Sequence, residues 1–162
     1  MIWELNSRII VMLTELCVAG KEKCAPYWCT YESEEQTFQT REFLITTVNE
    51  RRMPGYVESI LDVCQCTTGE RRQIKHYLYS DWSDHGVPSK CDSFMELILT
   101  VNKERQQLLM EMADGPAPGP IIVHCSAGVG RTGTFCVVDS FCVDVIGRFF
   151  FFRKDYTAVV KA

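Results

Sequence analysis

The residues with the clearest potential for chemistry lie in one short segment, which reads IIVHCSAGVGRTG from Ile121 to Gly133. An apolar run ends at His124 and Cys125, and three glycines and Arg131 follow the cysteine. A glycine-rich loop that leads from a strand into a helix can turn its backbone N–H groups inward and bind an anion. The segment therefore predicts an oxyanion-binding loop with a thiol at its base.

The positive field that holds the anion would also act on the thiol. The N-terminus of the following helix carries roughly half a positive charge, and Arg131 can hold two oxygens of a tetrahedral oxyanion. We therefore expect the pKa of Cys125 to fall into the range of roughly 3.5 to 7.5 known for helix-terminal thiols. A thiolate beneath a bound phosphate is a nucleophile for phosphoryl transfer. The alternative is a cysteine that only packs, as free cysteines usually do.

The sequence HCSAGVGRTG resembles the signature loop of protein tyrosine phosphatases, in which His-Cys is followed by five residues, an Arg and a Ser or Thr. The resemblance implies that Cys125 is the nucleophile and that Arg131 stabilises the transition state. It also implies that Thr132 helps the sulfur to leave and that His124 orients the cysteine and lowers its pKa. The phosphate would then lie in a backbone cradle formed by Ser126, Ala127, Gly128, Val129, Gly130 and Arg131.

A second segment, WSDHGVPSK from Trp82 to Lys90, resembles the mobile acid loop of the same family. The resemblance implies that Asp84 protonates the leaving phenolate and later acts as base toward water, with Trp82 at the hinge. Such an acid contributes roughly 10² to 10⁴ in rate. Ser83 replaces the family's proline, whose fixed φ stiffens the loop, so we expect slower turnover. Taken alone, Asp-x-Gly is common in surface turns.

The elements that must position these two loops follow from the apolar pattern. Alternating or short apolar runs predict strands over Arg8–Leu13, Thr37–Val48, Tyr56–Gln65, Arg71–Tyr79 and Ile121–Val123. Helical periodicity predicts helices over Phe94–Met112 and Thr132–Ile146, and Met1–Asn6 is expected to be the end of a helix. This order of elements predicts an α/β fold, a twisted mixed β-sheet flanked by helices.

The resemblance to the tyrosine phosphatases runs from Met1 to about Val145, which predicts a partial phosphatase domain over residues 1–147 and a divergent tail over 148–162. Relatives carry an upstream tyrosine that walls the pocket and a downstream glutamine that positions water, and neither segment has a counterpart in this sequence. We therefore expect an incomplete domain, truncated at both ends. Val18 stands where relatives have a glutamate that braces the signature arginine.

Composition limits the location and the partners of the 162-residue chain. The net charge is −4 without a Lys/Arg block, which does not favour nucleic acid. Nine cysteines without framework spacing favour a reducing, cytoplasmic compartment. The apolar runs are too short for a membrane span, and the scattered histidines do not predict zinc. We expect no cofactor.

Three hypotheses about function remain open at this point. The first is a tyrosine phosphatase that hydrolyses phosphotyrosine in proteins through a phosphocysteine on Cys125, with Asp84 as acid and base. The second is a catalytically weak phosphotyrosine-binding or decoy protein, which the absent glutamine segment and Val18 favour. The third keeps Cys-x5-Arg with another substrate, as in dual-specificity phosphatases or arsenate reductases. The W-x-D-x-G-x-P segment upstream of Cys125 argues against a reductase.

Overall fold

The fold is built around one seven-stranded mixed sheet in the order β4-β5-β6-β7-β1-β8-β9. We describe it from a computed structural model, for residues 1–82, 86–147 and 156–158. The strands are β1 (Ile9–Met12), β2 (Cys17–Val18), β3 (Lys21–Glu22), β4 (Thr37–Gln39), β5 (Phe43–Met53), β6 (Tyr56–Gln65), β7 (Arg71–Tyr79), β8 (Ile121–His124) and β9 (Tyr156–Ala158). The helices are α1 (Cys91–Glu111) and α2 (Gly130–Gly147). This architecture confirms the predicted mixed sheet with flanking helices.

The sheet combines an antiparallel meander with a parallel centre. Strands β5, β6 and β7 pair antiparallel, whereas β1 lies parallel to both β7 and β8. All four residues of β1 are buried, as expected for a parallel strand that is covered on both faces. The turn between β5 and β6 contains Gly55 with φ of 87°, a conformation that side chains with a Cβ rarely adopt.

Two apolar clusters cover the two faces of the sheet. Helix α1 buries Phe94, Leu97, Ile98 and Val101, which lie on one helical face. On this side the helix residues join Val11, Tyr77, Tyr79, Val123 and Phe135. The opposite face contains Ile10, Met12, Trp28, Leu61, Ile74 and Ile122. Together the clusters fix the carboxyl ends of β1, β7 and β8, from which the functional loops emerge.

Two of the predicted elements were wrong, one in its type and one in its continuity. Residues 2–6 form turns, not the end of a helix. The backbone N–H of Leu5 donates to the Met1 carbonyl at 2.9 Å, but the helical turn stops there because Asn6 has φ of 54°. The predicted strand Thr37–Val48 is interrupted between β4 and β5. The Thr40 hydroxyl accepts the Phe43 N–H at 2.9 Å and closes a local turn, the backbone alternative that threonine offers to a strand.

The C-terminal segment is described only in part. The predicted boundary between residues 147 and 148 therefore stays a prediction, and the four consecutive phenylalanines at 149–152 lie outside the described residues. Strand β9 pairs parallel with β8, with Tyr156 opposite Ile121. Across the described parts of the chain, none of the helices is both long and apolar enough to cross a membrane.

Candidate active site

The thiol lies where a buried parallel strand runs into a loop and then a helix. Strand β8 ends at His124, Cys125 follows with 5% of its surface exposed, and α2 begins at Gly130. The Leu13 N–H donates to the His124 carbonyl at 2.8 Å and ties the end of β8 to the neighbouring strand. The carboxyl end of a parallel strand is the usual place for a ligand in an open α/β sheet. The helix starts at Gly130, two residues before the predicted Thr132, so the loop is short.

The environment of Cys125 lowers the pKa of its thiol. Burial opposes ionisation and is the largest single influence, but several stabilising contacts together outweigh it. They are the nearby Thr132 hydroxyl, hydrogen bonds from the backbone N–H groups of Thr132 and Gly128, and the positive charge of Arg131. Hydrogen bonds to the anionic form favour it, so the predicted direction of the pKa shift agrees with the structure.

Two backbone N–H groups, those of Gly128 and Thr132, are directed to the Cys125 sulfur, while the predicted oxyanion cradle stays a prediction. Gly128 has φ of 72°, a left-handed conformation that glycine adopts without strain. This geometry directs the Gly128 N–H to the sulfur. The Thr132 hydroxyl is buried and forms no well-aligned hydrogen bond with a described residue, although it lies near enough to the sulfur to lower the pKa. A hydroxyl in this position is available to a thiolate.

Arg131 connects the cradle to the segment that resembles the acid loop. Its Nη1 donates a hydrogen bond to the Trp82 carbonyl at 3.2 Å. Trp82 is itself fixed, because its Nε1 donates to the Gly86 carbonyl at 2.9 Å and its ring lies 5.1 Å from Phe94. The hinge tryptophan is therefore at the site. Asp84, the predicted acid, lies outside the described residues together with its two neighbours, so its place stays a prediction.

A cavity of about 370 Å³ opens above the thiol. Its lining contains the predicted residues Trp82, Cys125, Ser126, Ala127, Gly130 and Arg131, together with Lys23, Gly86 and Thr134. Gly128, Val129, His124 and Thr132 do not line it; Gly128 acts on the sulfur from the loop and Thr132 from the first turn of α2. Sequence reasoning missed Lys23 as a site residue. The signal available was its position in KEKCAPYW, a segment that the resemblance included without a role.

A second group of polar side chains lies behind the thiol loop. The Tyr27 hydroxyl is 2.8 Å from His124 Nε2 and 2.8 Å from His76 Nε2. Burial raises the pKa of Tyr27 and lowers the pKa of His76 to about 3. Tyr27 and His76 were not predicted as functional residues. Tyr27 lies 97 positions from His124 and 49 positions from His76 in the sequence, so no local pattern links the three residues.

A larger cavity, of about 410 Å³, lies on the other face of the sheet. Mainly apolar residues line it, among them Ile2, Trp3, Ile10, Phe43 and Leu61. It contains neither the thiol nor the arginine, and a phosphate would lose its hydration there without gaining a cation. The cavity at Cys125, which also contains Arg131 and Lys23, is the better candidate for an anion site.

A thiol of lowered pKa lies at the end of a parallel strand, at the base of a cavity that also contains an arginine. The family model described as "Protein-tyrosine phosphatase" matches residues 1–150. The chain belongs to the protein-tyrosine phosphatase family, as the resemblance of the signature loop predicted.

The chain is also similar to individual tyrosine phosphatases in sequence and in structure. Receptor-type tyrosine-protein phosphatase F of Mus musculus is 39% identical over 135 residues, which is 83% of this chain and 6% of that protein. Receptor-type tyrosine-protein phosphatase S of Gallus gallus is 38% identical and is covered to 8%. The solved structure of PTPN18 in complex with HER2-pY1248 phosphor-peptides has a TM-score of 0.74 and 28% identity, covering 90% of this chain and 49% of that one. The chain thus spans half or less of these relatives.

Proposed function

We propose that this chain hydrolyses phosphotyrosine in proteins through a phosphocysteine formed on Cys125. The observation that carries the proposal is the lowered pKa of the Cys125 thiol at the base of a cradle that also holds Arg131. The family supports phosphatase chemistry, and the phosphopeptides bound to PTPN18 support phosphotyrosine as the substrate class. Nine cysteines without framework spacing and a thiolate nucleophile favour action in a reducing compartment, the cytoplasm.

In the first step the Cys125 thiolate attacks phosphorus. The S–P bond forms while the P–O bond to the tyrosyl oxygen breaks, and Asp84 gives its proton to the leaving phenolate. The charge on the three equatorial oxygens is stabilised by the inward N–H groups of the loop and by the Arg131 guanidinium. Because these donors are already oriented by the fold, they need little reorganisation as the charge develops.

In the second step water attacks the phosphocysteine. Asp84 accepts a proton from the water, the O–P bond forms, and the S–P bond breaks to return the Cys125 thiolate and inorganic phosphate. The Thr132 hydroxyl, which lies near the sulfur, donates a hydrogen bond to the departing thiolate. The same contacts that lower the pKa of Cys125 thus make its sulfur a better leaving group.

The test is hydrolysis of p-nitrophenyl phosphate by the purified chain, measured both in a single turnover and at steady state. We expect a burst of nitrophenol from attack by Cys125, followed by continuing turnover that orthovanadate inhibits. Vanadate binds an oxyanion cradle without offering a leaving group, so inhibition reports on the cradle itself. A folded sample that shows neither a burst nor turnover would contradict the proposal.

A phosphotyrosine-binding protein with little turnover is the second candidate. The observation that favours it is Val18, which stands where the resemblance implies a glutamate that braces the signature arginine. A burst of one equivalent that then stalls, together with retained phosphopeptide affinity, would favour this candidate over continuous hydrolysis.

A further inference from the structure

Three side chains from distant parts of the chain form one hydrogen-bonded row behind the thiol. Tyr27 follows the β2–β3 hairpin, His76 lies on β7 and His124 ends β8. The Tyr27 hydroxyl bridges the two histidine Nε2 atoms at 2.8 Å each and also lies 3.5 Å from the Met12 sulfur. Thioether sulfur is a weak acceptor, so the two histidines are the strong partners.

The number of protons constrains how this row can be arranged. A tyrosine hydroxyl has one proton to donate, and a neutral imidazole donates from one nitrogen and accepts at the other. With both Nε2 atoms at hydrogen-bond distance, one histidine must donate to the Tyr27 oxygen and the other must accept its proton. His76 is fully buried and neutral, since burial lowers its pKa to about 3. The tautomer of His76 therefore sets the tautomer of His124.

The surroundings of His76 select one of the two arrangements. Its Nδ1 is buried and has no hydrogen-bond partner among the residues that the structure describes. A proton on Nδ1 would be an unpaired buried donor, which folded proteins avoid more strictly than an unpaired acceptor. A proton on Nε2 instead meets the Tyr27 oxygen. The Trp28 ring, 4.3 Å from the imidazole, packs against His76 and holds its orientation.

We propose that His76 is a positioning residue: it donates its Nε2–H to Tyr27, directs the Tyr27 proton to His124 Nε2, and so holds His124 as the Nδ1–H tautomer beside Cys125. The role in catalysis rests on the proposed function, because it acts through His124 on the nucleophile. The tautomer assignment itself does not depend on the proposed function. With its Nε2 lone pair occupied by the Tyr27 proton, the His124 ring next to Cys125 cannot rotate freely.

Other ionisable groups also face this row. Cys24, Tyr27, His124 and Cys125 line a common cavity of about 230 Å³, and Lys23 and Arg131 line the other cavity that contains Cys125.

The direct test is 15N NMR of histidine side chains in the folded wild-type chain at neutral pH. The resonances are assigned by their loss in His76→Gln and His124→Asn. We expect His76 as the Nε2–H tautomer and His124 as the Nδ1–H tautomer, each as a single form. An Nδ1–H proton on His76, or an Nε2–H proton on neutral His124, would overturn the proposal. This readout does not depend on activity, so failure of the hydrolysis assay would overturn the proposed function alone.

Variants at position 76 test whether the row matters to the reaction. His76→Leu removes the donor, and we expect mixed tautomers at His124 and a kcat reduced roughly tenfold with little change in KM, the size usual for coupled residues in one network. His76→Gln keeps an amide donor and is expected to restore most of kcat.

In a Tyr27→Phe background, His76→Leu should have no further effect on kcat. An equal loss in both backgrounds would mean that His76 acts by packing alone. If His76→Leu does not fold, the 15N spectrum of the wild type and the kcat of His76→Gln still test the proposal.

Discussion

Cys125→Ser is expected to abolish phosphate release, lowering kcat by a factor on the order of 10⁵ or more, as removal of a catalytic nucleophile generally does. The hydrogen bonds and the positive charge that lower the pKa of the thiol cannot ionise a serine hydroxyl near neutral pH, since that hydroxyl is far less acidic. The change is nearly isosteric, so the cradle should persist. The measurement is nitrophenol release from p-nitrophenyl phosphate, with phosphotyrosine-peptide binding to show that the site is intact.

The matched control for this variant is Cys142→Ser on α2. Cys142 is half-buried, and burial raises the pKa of its thiol, so it is not a nucleophile near neutral pH. We expect its kcat to stay close to that of the wild type. If Cys125→Ser released phosphate as fast as the control variant, a covalent intermediate on Cys125 would be ruled out.

The second large effect is expected from Arg131→Lys. Lysine keeps the positive charge but loses the planar fork that holds two phosphoryl oxygens, and it cannot reproduce the hydrogen bond from Arg131 Nη1 to the Trp82 carbonyl. An arginine that stabilises phosphoryl-transfer charge contributes roughly 10³ to 10⁵ in rate. We therefore expect kcat to fall by about 10³, with a smaller increase in KM. Steady-state kinetics on the same aryl phosphate measure both parameters.

Arg71→Lys is the matched control, because it makes the same substitution at a site away from Cys125. Arg71 is exposed and pairs with Asp62 across β6 and β7, far from the thiol, and an exposed ion pair contributes little to stability. Its kinetics should match those of the wild type. A kcat for Arg131→Lys within a few-fold of this control would show that the bidentate contact does not stabilise the transition state.

The thiol cradle could be predicted from sequence because its determinants are local. The glycines, Cys125 and Arg131 lie within one loop between an apolar run and a helix, and loop geometry follows from residues that are adjacent in the chain. The strands of the meander were predicted for the same reason, since alternation is local. The interruption at Thr40 was missed because the threonine side chain replaced a strand hydrogen bond with a turn, which alternation cannot reveal.

The row behind the thiol could not be predicted because it depends on the order of strands. His76 and His124 become neighbours of Tyr27 only because β1 is inserted in parallel between β7 and β8. Nothing in the local pattern of His76 distinguishes it from any other residue of an alternating strand. Lys23 was likewise hidden, because it reaches the anion cavity from a hairpin that is distant in sequence from the signature loop.

The central claim is that the fold holds the Cys125 sulfur as an anion beneath an oxyanion site, and alkylation of the folded chain by iodoacetamide tests it most directly. The rate at Cys125, followed by mass spectrometry of its peptide, is recorded against pH with and without vanadate. We expect the rate to rise at a pH clearly below that for exposed Cys17, since the contacts that lower the pKa outweigh burial, and we expect vanadate to protect Cys125 but not Cys17. A Cys125 thiol that titrates with Cys17 and reacts equally fast in the presence of vanadate would contradict the account.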